Sequence, residues 1–136
     1  MIVLDTNVVG EMMAARPNPR VVHFLDSLET SAALTAVTVA ELRYGAAILA
    51  SGRRKQRLCA SIDQLVESLG PVLSLDVDGA AAYADIASDR RRRGRPISQF
   101  DALIAAICLV HGAALATRDA GGFEHTGIAV VNPWSA

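Results

Sequence analysis

Short aliphatic runs alternate along the chain with longer stretches in which apolar residues recur every three or four positions. Runs of this length are typical of strands buried on both faces of a sheet, and the longer period indicates amphipathic helices. The predicted strands are at 2–4, 32–37, 72–75, 113–117 and 128–132. The predicted helices are at 18–28, 38–50, 53–70, 79–93 and 98–112.

Because helical stretches separate the strands, consecutive strands need crossover connections. This pattern predicts an α/β fold with a mostly parallel central sheet and helices on both of its faces. The length of 136 residues fits a single domain over residues 1–136. In such sheets, ligands bind beyond the carboxyl ends of the strands, where the strand order reverses.

Several predicted helix ends carry capping residues. Thr38 and Ser98 are predicted to cap the starts of two helices, and Asp76 or Asp78 the start of a third. Gly112 is expected to end the last helix. These caps fix where the first turns of the helices lie relative to the edge of the sheet.

Four acidic residues are predicted to meet at the carboxyl edge of the sheet. Asp5 directly follows the first strand, and Asp119 comes two residues after the fourth. Glu41 and Asp101 each lie three residues after a predicted hydroxyl cap, in the first turn of a helix that begins near the same edge. Four distant points of the chain thus deliver carboxylates to one region.

Carboxylates that lie close together repel, and burial makes each of them costlier. A divalent cation compensates both effects, and Mg²⁺ or Mn²⁺ accepts carboxylate oxygens together with water and phosphate oxygens. Such an ion activates water and stabilises charge on a phosphodiester. The acidic group therefore indicates metal-dependent phosphodiester chemistry.

Each acid also has a purely structural interpretation. Glu41 and Asp101 could close capping boxes, Asp5 could cap a short helix that follows it, and Asp119 could be a turn residue beside glycines. At the level of single residues these alternatives stay open.

Composition excludes several other classes of protein. The chain is 51% hydrophobic and 20% charged with a net charge of −1, which is typical of a globular protein without an overall basic field. Cys59 and Cys108 are far apart and predicted to be buried, reduced thiols rather than zinc ligands. No apolar run reaches the length of a membrane span, so a cytoplasmic protein without membrane contact is expected.

Basic residues cluster in two runs. The second run lies one loop before Asp101, so it could guide a phosphate backbone toward the acids or simply complement the dipole of a helix end. Its members are Arg90, Arg91, Arg92, Arg93 and Arg95. The first run, Arg53–Arg57, is expected to be a solvated helix start.

The chain resembles the PIN-domain family, its VapC-like toxins and, within them, the FitB-like branch. The matching stretches are MIVLDTNV, LTAVTVAELRYG, PISQFDALIAA, ALATRDAGGF and VVNPW, which extend from one end of the chain to the other. Many relatives carry Asn-x-x-Asp-Phe after the Thr-Arg pair, where this chain has Asp119-Ala-Gly-Gly-Phe123.

This resemblance implies a three-layer α/β/α sandwich and a metal-dependent endoribonuclease that uses a metal-activated water. By position, Asp5, Glu41, Asp101 and Asp119 match the family's acidic quartet, with Asp5 and Asp101 as direct ligands of Mg²⁺ or Mn²⁺. Asp119 would support the metal or its waters, and Glu41 would bind a metal-bound water or orient the nucleophile. Asn7 and Thr117 match positions that hold the acids in place.

The resemblance also implies partners. Such toxins act on RNA, pair with an antitoxin whose tail occupies the active-site groove, usually form homodimers, and can form larger hetero-oligomers with the antitoxin on DNA. Because aromatic residues make up only 4% of the chain, recognition of RNA by shape is expected rather than base stacking. Tyr44, one turn after Glu41, could pack or contact a partner.

Two rival functions remain. A magnesium-dependent phosphotransfer enzyme also places Asp at strand ends, but the dehalogenase type needs a second Asp where this chain has Asn7, and a receiver needs a lysine at a strand end. A non-catalytic PIN-like binding module, acting with an antitoxin on DNA, would have no need to concentrate four acids. Metal-free cleavage through the 2′-hydroxyl is disfavoured because His23, His111 and His125 are scattered.

Overall fold

The structure, a computed structural model, describes residues 1–136 and contains five strands and six α-helices. The strands are β1 (Ile2–Leu4), β2 (Ala32–Thr35), β3 (Val72–Leu73), β4 (Ala114–Ala116) and β5 (Val130–Val131). The helices are α1 (Thr6–Met12), α2 (Pro19–Asp26), α3 (Ala36–Ala47), α4 (Arg53–Ser68), α5 (Val77–Arg92) and α6 (Gln99–His111). A 3₁₀ turn at Ala120–Phe123 follows β4.

The five strands form one parallel sheet in the order β3-β2-β1-β4-β5. The chain moves outward from β1 to β2 and β3, and later returns to place β4 and β5 on the other side of β1. The strand order therefore reverses between β1 and β4, where Leu4 pairs with Ala116. The residues that follow these two strands face the crevice where parallel sheets bind ligands.

Helices cover both faces of the sheet, because successive residues of each strand point to opposite sides. Val3 and Leu115 belong to a core cluster with α5 and α6, whereas Leu4 and Ala116 belong to a second cluster with α1 to α4. All four side chains are fully buried. The predicted α/β/α sandwich with a parallel central sheet is confirmed.

Helix α6 begins and ends where the sequence predicts. Ser98 caps its start, and its hydroxyl accepts a 3.2 Å hydrogen bond from the backbone N–H of Asp101. Gly112 ends the helix with φ of 61°, a left-handed conformation in which glycine meets no steric penalty. Asp76 caps α5 in the same manner. None of the helices combines the length and hydropathy needed to cross a bilayer.

The predicted cap at Thr38 is wrong. Thr35, the last residue of β2, caps α3, and its hydroxyl oxygen accepts a 3.0 Å hydrogen bond from the backbone N–H of Thr38. The strand passes into the helix without a loop, because Thr35 is still extended while Ala36 is already helical. Glu41 therefore lies in the second turn of α3 and cannot close a capping box with Thr38.

Four of the five strands are shorter than the apolar runs that predicted them. The third run was expected to reach Leu75, but only Val72 and Leu73 pair with β2, and Leu75 is 41% exposed. Pairing ends because the chain turns there toward Asp76, the cap of α5. In β2 and β3 the aliphatic run marks where the strand begins but not where its ladder of hydrogen bonds stops.

Both cysteines are free, in agreement with the prediction of reduced thiols. Cys108 lies in the core on α6, and burial raises the pKa of its thiol to about 12. Cys59 is only half-buried. A thiol with so high a pKa stays protonated at neutral pH and packs as a small hydrophobic side chain.

Candidate active site

Asp5 sits in the crevice between β1 and β4 and caps α1. Its Oδ1 accepts a 2.8 Å hydrogen bond from the backbone N–H of Thr6. Its own N–H donates to the carbonyl of Ala116 at 2.9 Å, which extends the ladder between β1 and β4 by one residue. Only 5% of the residue is exposed. The proposed structural role of Asp5 as a cap is thus real, and it holds the carboxylate at the sheet edge.

Thr117 is the central hydrogen-bonding residue of the site and is fully buried. Its hydroxyl donates to Oδ2 of Asp5 at 2.7 Å. The hydroxyl oxygen of Thr117 also accepts hydrogen bonds from Nδ2 of Asn7 at 3.2 Å and from the backbone N–H of Asp119 at 3.1 Å. A hydroxyl has one donor and two acceptor positions, so all of its capacity is used.

Asn7 joins the start of α1 to the segment after β4. Its Oδ1 accepts a 3.1 Å hydrogen bond from the backbone N–H of Arg118, while its Nδ2 donates to Thr117. Nδ2 also lies 3.5 Å from Oδ2 of Asp5. Asn7 therefore contacts both strand-end segments that carry acids, although the side chain itself is exposed.

Glu41 projects from α3 toward the same crevice. Its Oε1 accepts a 2.9 Å hydrogen bond from the hydroxyl of Thr6. Partial burial raises the pKa of the Glu41 carboxyl, the hydrogen bond from Thr6 lowers it, and the charges of Asp5 and Asp101 raise it further. The carboxyl thus holds its proton more tightly than a solvated glutamate does.

Asp101 lies in the first turn of α6 and is also partly buried. Burial raises the pKa of its carboxyl, a hydrogen bond with Ser98 lowers it, and the charges of Asp5 and Asp119 raise it. The rise persists although the start of a helix normally favours a negative charge. Neighbouring carboxylates and burial outweigh the helix terminus here.

Asp119 is exposed and begins the 3₁₀ turn after β4, where its Oδ1 accepts a 3.2 Å hydrogen bond from the backbone N–H of Gly122. A Cβ on Gly122 would clash with the carboxylate of Asp119, so glycine is needed for this close approach. The turn and the acidic site share this residue, because its charge also acts on Asp101.

Each of the four predicted acids acts electrostatically on at least one other. The pairs are Asp5 with Glu41, Glu41 with Asp101, Asp5 with Asp101, and Asp101 with Asp119. The structure thus brings together residues that are separated by up to 114 positions in the chain. No positively charged side chain contributes to the pKa of Glu41 or Asp101.

No three acidic, histidine or cysteine side chains are arranged so that they alone would enclose a metal ion. The donor set nevertheless fits Mg²⁺ in kind, because that ion binds one or two carboxylates and completes its shell with waters. Asp5 retains acceptor capacity, since a carboxylate has about four lone-pair positions. Oxygen donors of this kind also suit Mn²⁺.

The arginine run before Asp101 divides into residues with different roles. Arg90 is 4% exposed, and its guanidinium donates to the carbonyls of Arg95, Gly122 and Glu124. Because these carbonyls engage Nε and Nη1 of a nearly buried side chain, Arg90 is poorly placed for the contact with RNA that was considered for this run.

The rest of this arginine run is exposed. Arg93 pairs with Asp89 at 2.8 Å, and Arg95 pairs with Glu124 at 2.8 Å. Arg91 and Arg92 make no ion pair. Only these two members of the run offer an unengaged guanidinium to a phosphate.

Three further residues at or beside the site were not predicted. Thr6 donates its hydroxyl to Glu41, and its place directly after Asp5 is the signal that could have indicated it. The guanidinium carbon of Arg118 lies 5.0 Å from the ring centroid of Trp134, within the range of a cation–π contact. Nothing local connects residues 118 and 134, so only the fold shows this pair.

Residues 2–129 match the family described as the PIN domain. The chain belongs to the PIN-domain family. Its relatives include the toxin FitB of Neisseria gonorrhoeae, 44% identical over 137 residues that span 98% of this chain and 99% of FitB. The VapC ribonuclease Y4jK of Sinorhizobium fredii is 39% identical over 138 residues that span 98% of each chain.

Among solved structures, that of FitAB bound to an IR36 DNA fragment superimposes on this PIN domain with a TM-score of 0.90 and 43% identity. The match covers 98% of this chain and 96% of the other. The resemblance to the VapC-like and FitB-like branches that the sequence motifs indicated is therefore confirmed.

Proposed function

We propose that this PIN-domain protein is a metal-dependent endoribonuclease and the toxin of a type II toxin–antitoxin pair. The observation that carries the proposal is the mutual electrostatic action of Asp5, Glu41, Asp101 and Asp119 at the strand-order reversal. A fold gains nothing in stability from concentrating like charges, so their placement points to chemistry. The name of the relative Y4jK, a VapC ribonuclease, supports RNA as substrate.

Asp5 and Asp101 would hold the ion, Mg²⁺ or Mn²⁺, and Asp119 would support it or its waters. When bound, such an ion lowers the pKa of a coordinated water and neutralises charge that develops on the phosphate. Asp5 is suited to this role because Thr6 and Thr117 fix both of its oxygens. A carboxylate that is fixed before the ligand arrives loses little entropy on binding.

Glu41 would orient the attacking water and accept its proton. A carboxylate with a raised pKa is the stronger base, and the hydroxyl of Thr6 holds Oε1 in place while Oε2 stays available. In-line attack of water on phosphorus releases a 5′-phosphate and a 3′-hydroxyl. Residues 1–136 would act as one domain in this reaction.

The test is sequencing of RNA 5′-phosphate ends in cells that express this chain or its Asp101→Asn variant. The matched control is Asp78→Asn, since Asp78 is likewise an acid in the first turn of a helix. New ends at recurrent sites are expected with the unchanged chain and with Asp78→Asn, and not with Asp101→Asn. Equal end profiles for all three folded proteins would refute ribonuclease activity.

A cognate antitoxin is part of this proposal, and so are a homodimer and a larger hetero-oligomer on DNA. The support is the structure of FitAB on a DNA fragment, which matches this chain over nearly its whole length. Co-expression with the product of the neighbouring gene, followed by mass measurement of the purified complex, tests it. If the chain purifies alone and does not bind that gene product, the antitoxin assignment is contradicted.

A further inference from the structure

A cleft of about 600 Å³ opens between α3 and α6 at the acidic site, and Ala40, Glu41, Tyr44 and Phe100 line it. Its volume lies in the range of roughly 300–1,000 Å³ that small-ligand sites occupy. Tyr44 is 68% exposed and Phe100 is 50% exposed. These rings come from different helices, and no other Phe or Tyr is as exposed.

Both aromatic residues lie close in sequence to an acid of the site. Tyr44 lies one helical turn after Glu41, and Phe100 directly precedes Asp101. Glu41 itself forms part of the cleft wall, so the cleft and the acidic site are continuous. A group that occupies the cleft therefore lies next to Glu41, beside the acids at which the reacting phosphate is proposed to bind.

We propose that Tyr44 and Phe100 form a stacking subsite for one unpaired base of the RNA, adjacent to the bond that is cut. This subsite rests on the proposed ribonuclease function. Base stacking on aromatic side chains is the usual way in which proteins hold unstacked RNA bases, and it requires no particular base. The subsite replaces the expectation that so few aromatic residues leave recognition to RNA shape.

The four lining residues are enough to hold one base, whereas a protein partner, including an antitoxin tail in the groove, needs further contacts outside the cleft. A stable protein interface needs about 20–30 residues a side, whereas four residues line the cleft. A partner that sealed the cleft would also have to pair the Glu41 carboxylate or bury its charge. A base stacked on the two rings keeps its hydrogen-bonding edge free. The amino or imino groups of that edge can donate to the Glu41 carboxylate.

The binding test uses the full chain without antitoxin and a single-stranded RNA decamer that carries one 2-aminopurine. EDTA is present so that the RNA is not cut. Stacking quenches 2-aminopurine, so we expect quenching with the unchanged chain, and an affinity about 10-fold or more weaker for Tyr44→Ala and Phe100→Ala. Tyr44→Phe and Phe100→Tyr keep a ring and are expected to retain binding.

The matched control is Leu109→Ala, which removes another exposed apolar side chain of α6 from a cavity next to Met1 rather than from the acidic edge. It is expected to bind RNA as the unchanged chain does. Equal quenching by the unchanged chain and the two alanine variants would overturn the subsite. So would a loss confined to antitoxin binding or dimer mass, which would make the cleft a protein contact.

Cleavage separates this subsite from the proposed function. With RNA that spans a mapped cut site, removal of the one base beside the cut should raise KM for the unchanged chain and have little further effect on Tyr44→Ala. Quenching without any cleavage would leave the subsite standing and refute the nuclease. Cleavage that is indifferent to every base removal and to both alanine variants would refute the subsite and leave the nuclease standing.

Discussion

The hydroxyl of Thr117 donates a 2.7 Å hydrogen bond to Oδ2 of Asp5, a residue 112 positions earlier in the chain. The two residues directly follow β4 and β1, the neighbouring strands between which the strand order reverses. Because the bond crosses this crevice, it fixes a carboxylate at the place where a parallel sheet binds its ligand. The same hydroxyl accepts from Asn7 and from the N–H of Asp119, so one side chain joins the segments that follow β1 and β4.

Thr117→Val keeps the shape of this side chain and removes its hydroxyl. We expect a loss of about 1–3 kcal/mol in the free energy of unfolding, because buried polar partners lose their hydrogen bonds, and an activity about 10–100-fold lower. Urea unfolding and RNA cleavage rates measure the two effects. The control is Thr126→Val, since the buried hydroxyl of Thr126 bonds only the Phe123 carbonyl and lies outside the acidic group. It should destabilise the protein without the same loss of activity.

Glu41→Gln should stabilise the metal-free protein at neutral pH. The folded pKa of Glu41 is raised above its ordinary value of 4.5, chiefly by burial, so the folded state binds more protons than the unfolded state between these pKa values. The free energy of unfolding therefore falls as pH rises from about 4.5 through the folded pKa, and Gln removes this fall. Urea unfolding in EDTA across pH 4–8 tests this, and a steeper decline for Glu41→Gln than for the unchanged chain would contradict it.

Divalent ions should raise the thermal midpoint of the unchanged chain. A ligand that binds only the folded state adds about 2.7 kcal/mol at 100 times its Kd. Thermal unfolding with and without Mg²⁺ or Mn²⁺ measures the rise, which should be much smaller for Asp5→Asn and Asp101→Asn. Asp78→Asn should respond as the unchanged chain does. An equal rise in all of these proteins would place the ion elsewhere.

Thr6→Val should move the acidic limb of the cleavage pH profile to higher pH. The Thr6 hydroxyl donates a hydrogen bond to Glu41 and lowers the pKa of that carboxyl. Without it, burial and the neighbouring charges should raise the pKa of Glu41 further. A base with a higher pKa loses its proton only at higher pH. Thr6→Ser keeps the hydroxyl and should keep the profile. An unchanged limb in Thr6→Val would exclude Glu41 as the group that titrates.

Substitutions of the adjacent residues Arg90 and Arg91 should affect different properties, stability in the first case and RNA binding in the second. Arg90→Lys replaces a buried fork that donates to three carbonyls with a single ammonium, so we expect a loss of about 1–3 kcal/mol in the free energy of unfolding. Arg91→Ala should leave stability nearly unchanged and reduce the salt dependence of RNA binding, if its exposed guanidinium meets a phosphate. Urea unfolding and binding at several salt concentrations distinguish the two. Equal stability of both variants would contradict the assignment.

The assignment of Asp5, Glu41, Asp101 and Asp119 as catalytic acids stays a prediction until these variants are measured. The structure does show their placement, because each of the four acids lies close enough to at least one other for their charges to interact. Sequence alone left every one of them with a structural alternative, and the structure shows that two alternatives are also true. Asp5 does cap α1, and Asp119 does begin a turn. Capping and chemistry are compatible because the backbone bond orients the carboxylate without exhausting its acceptors.

The sequence by itself determined the features that depend on neighbours along the chain. The first strand, the cap of α6 at Ser98 and its glycine end at Gly112 follow from hydrophobic period, side-chain hydroxyls and backbone freedom, all of which act within one helical turn. The parallel sheet follows as well, because helices between strands force crossovers.

Only the tertiary structure decided what depends on residues far apart. It moved the cap of α3 from Thr38 to Thr35, because a strand that pairs with β1 and β3 fixes where extended backbone ends. It buried Arg90, which the sequence placed in an exposed basic run, and made its guanidinium a hydrogen-bond donor to the segment after Asp119. It also placed Tyr44 beside Phe100 at the acidic edge. Contacts of this kind depend on how helices pack across the sheet, and no local period or cap encodes that packing.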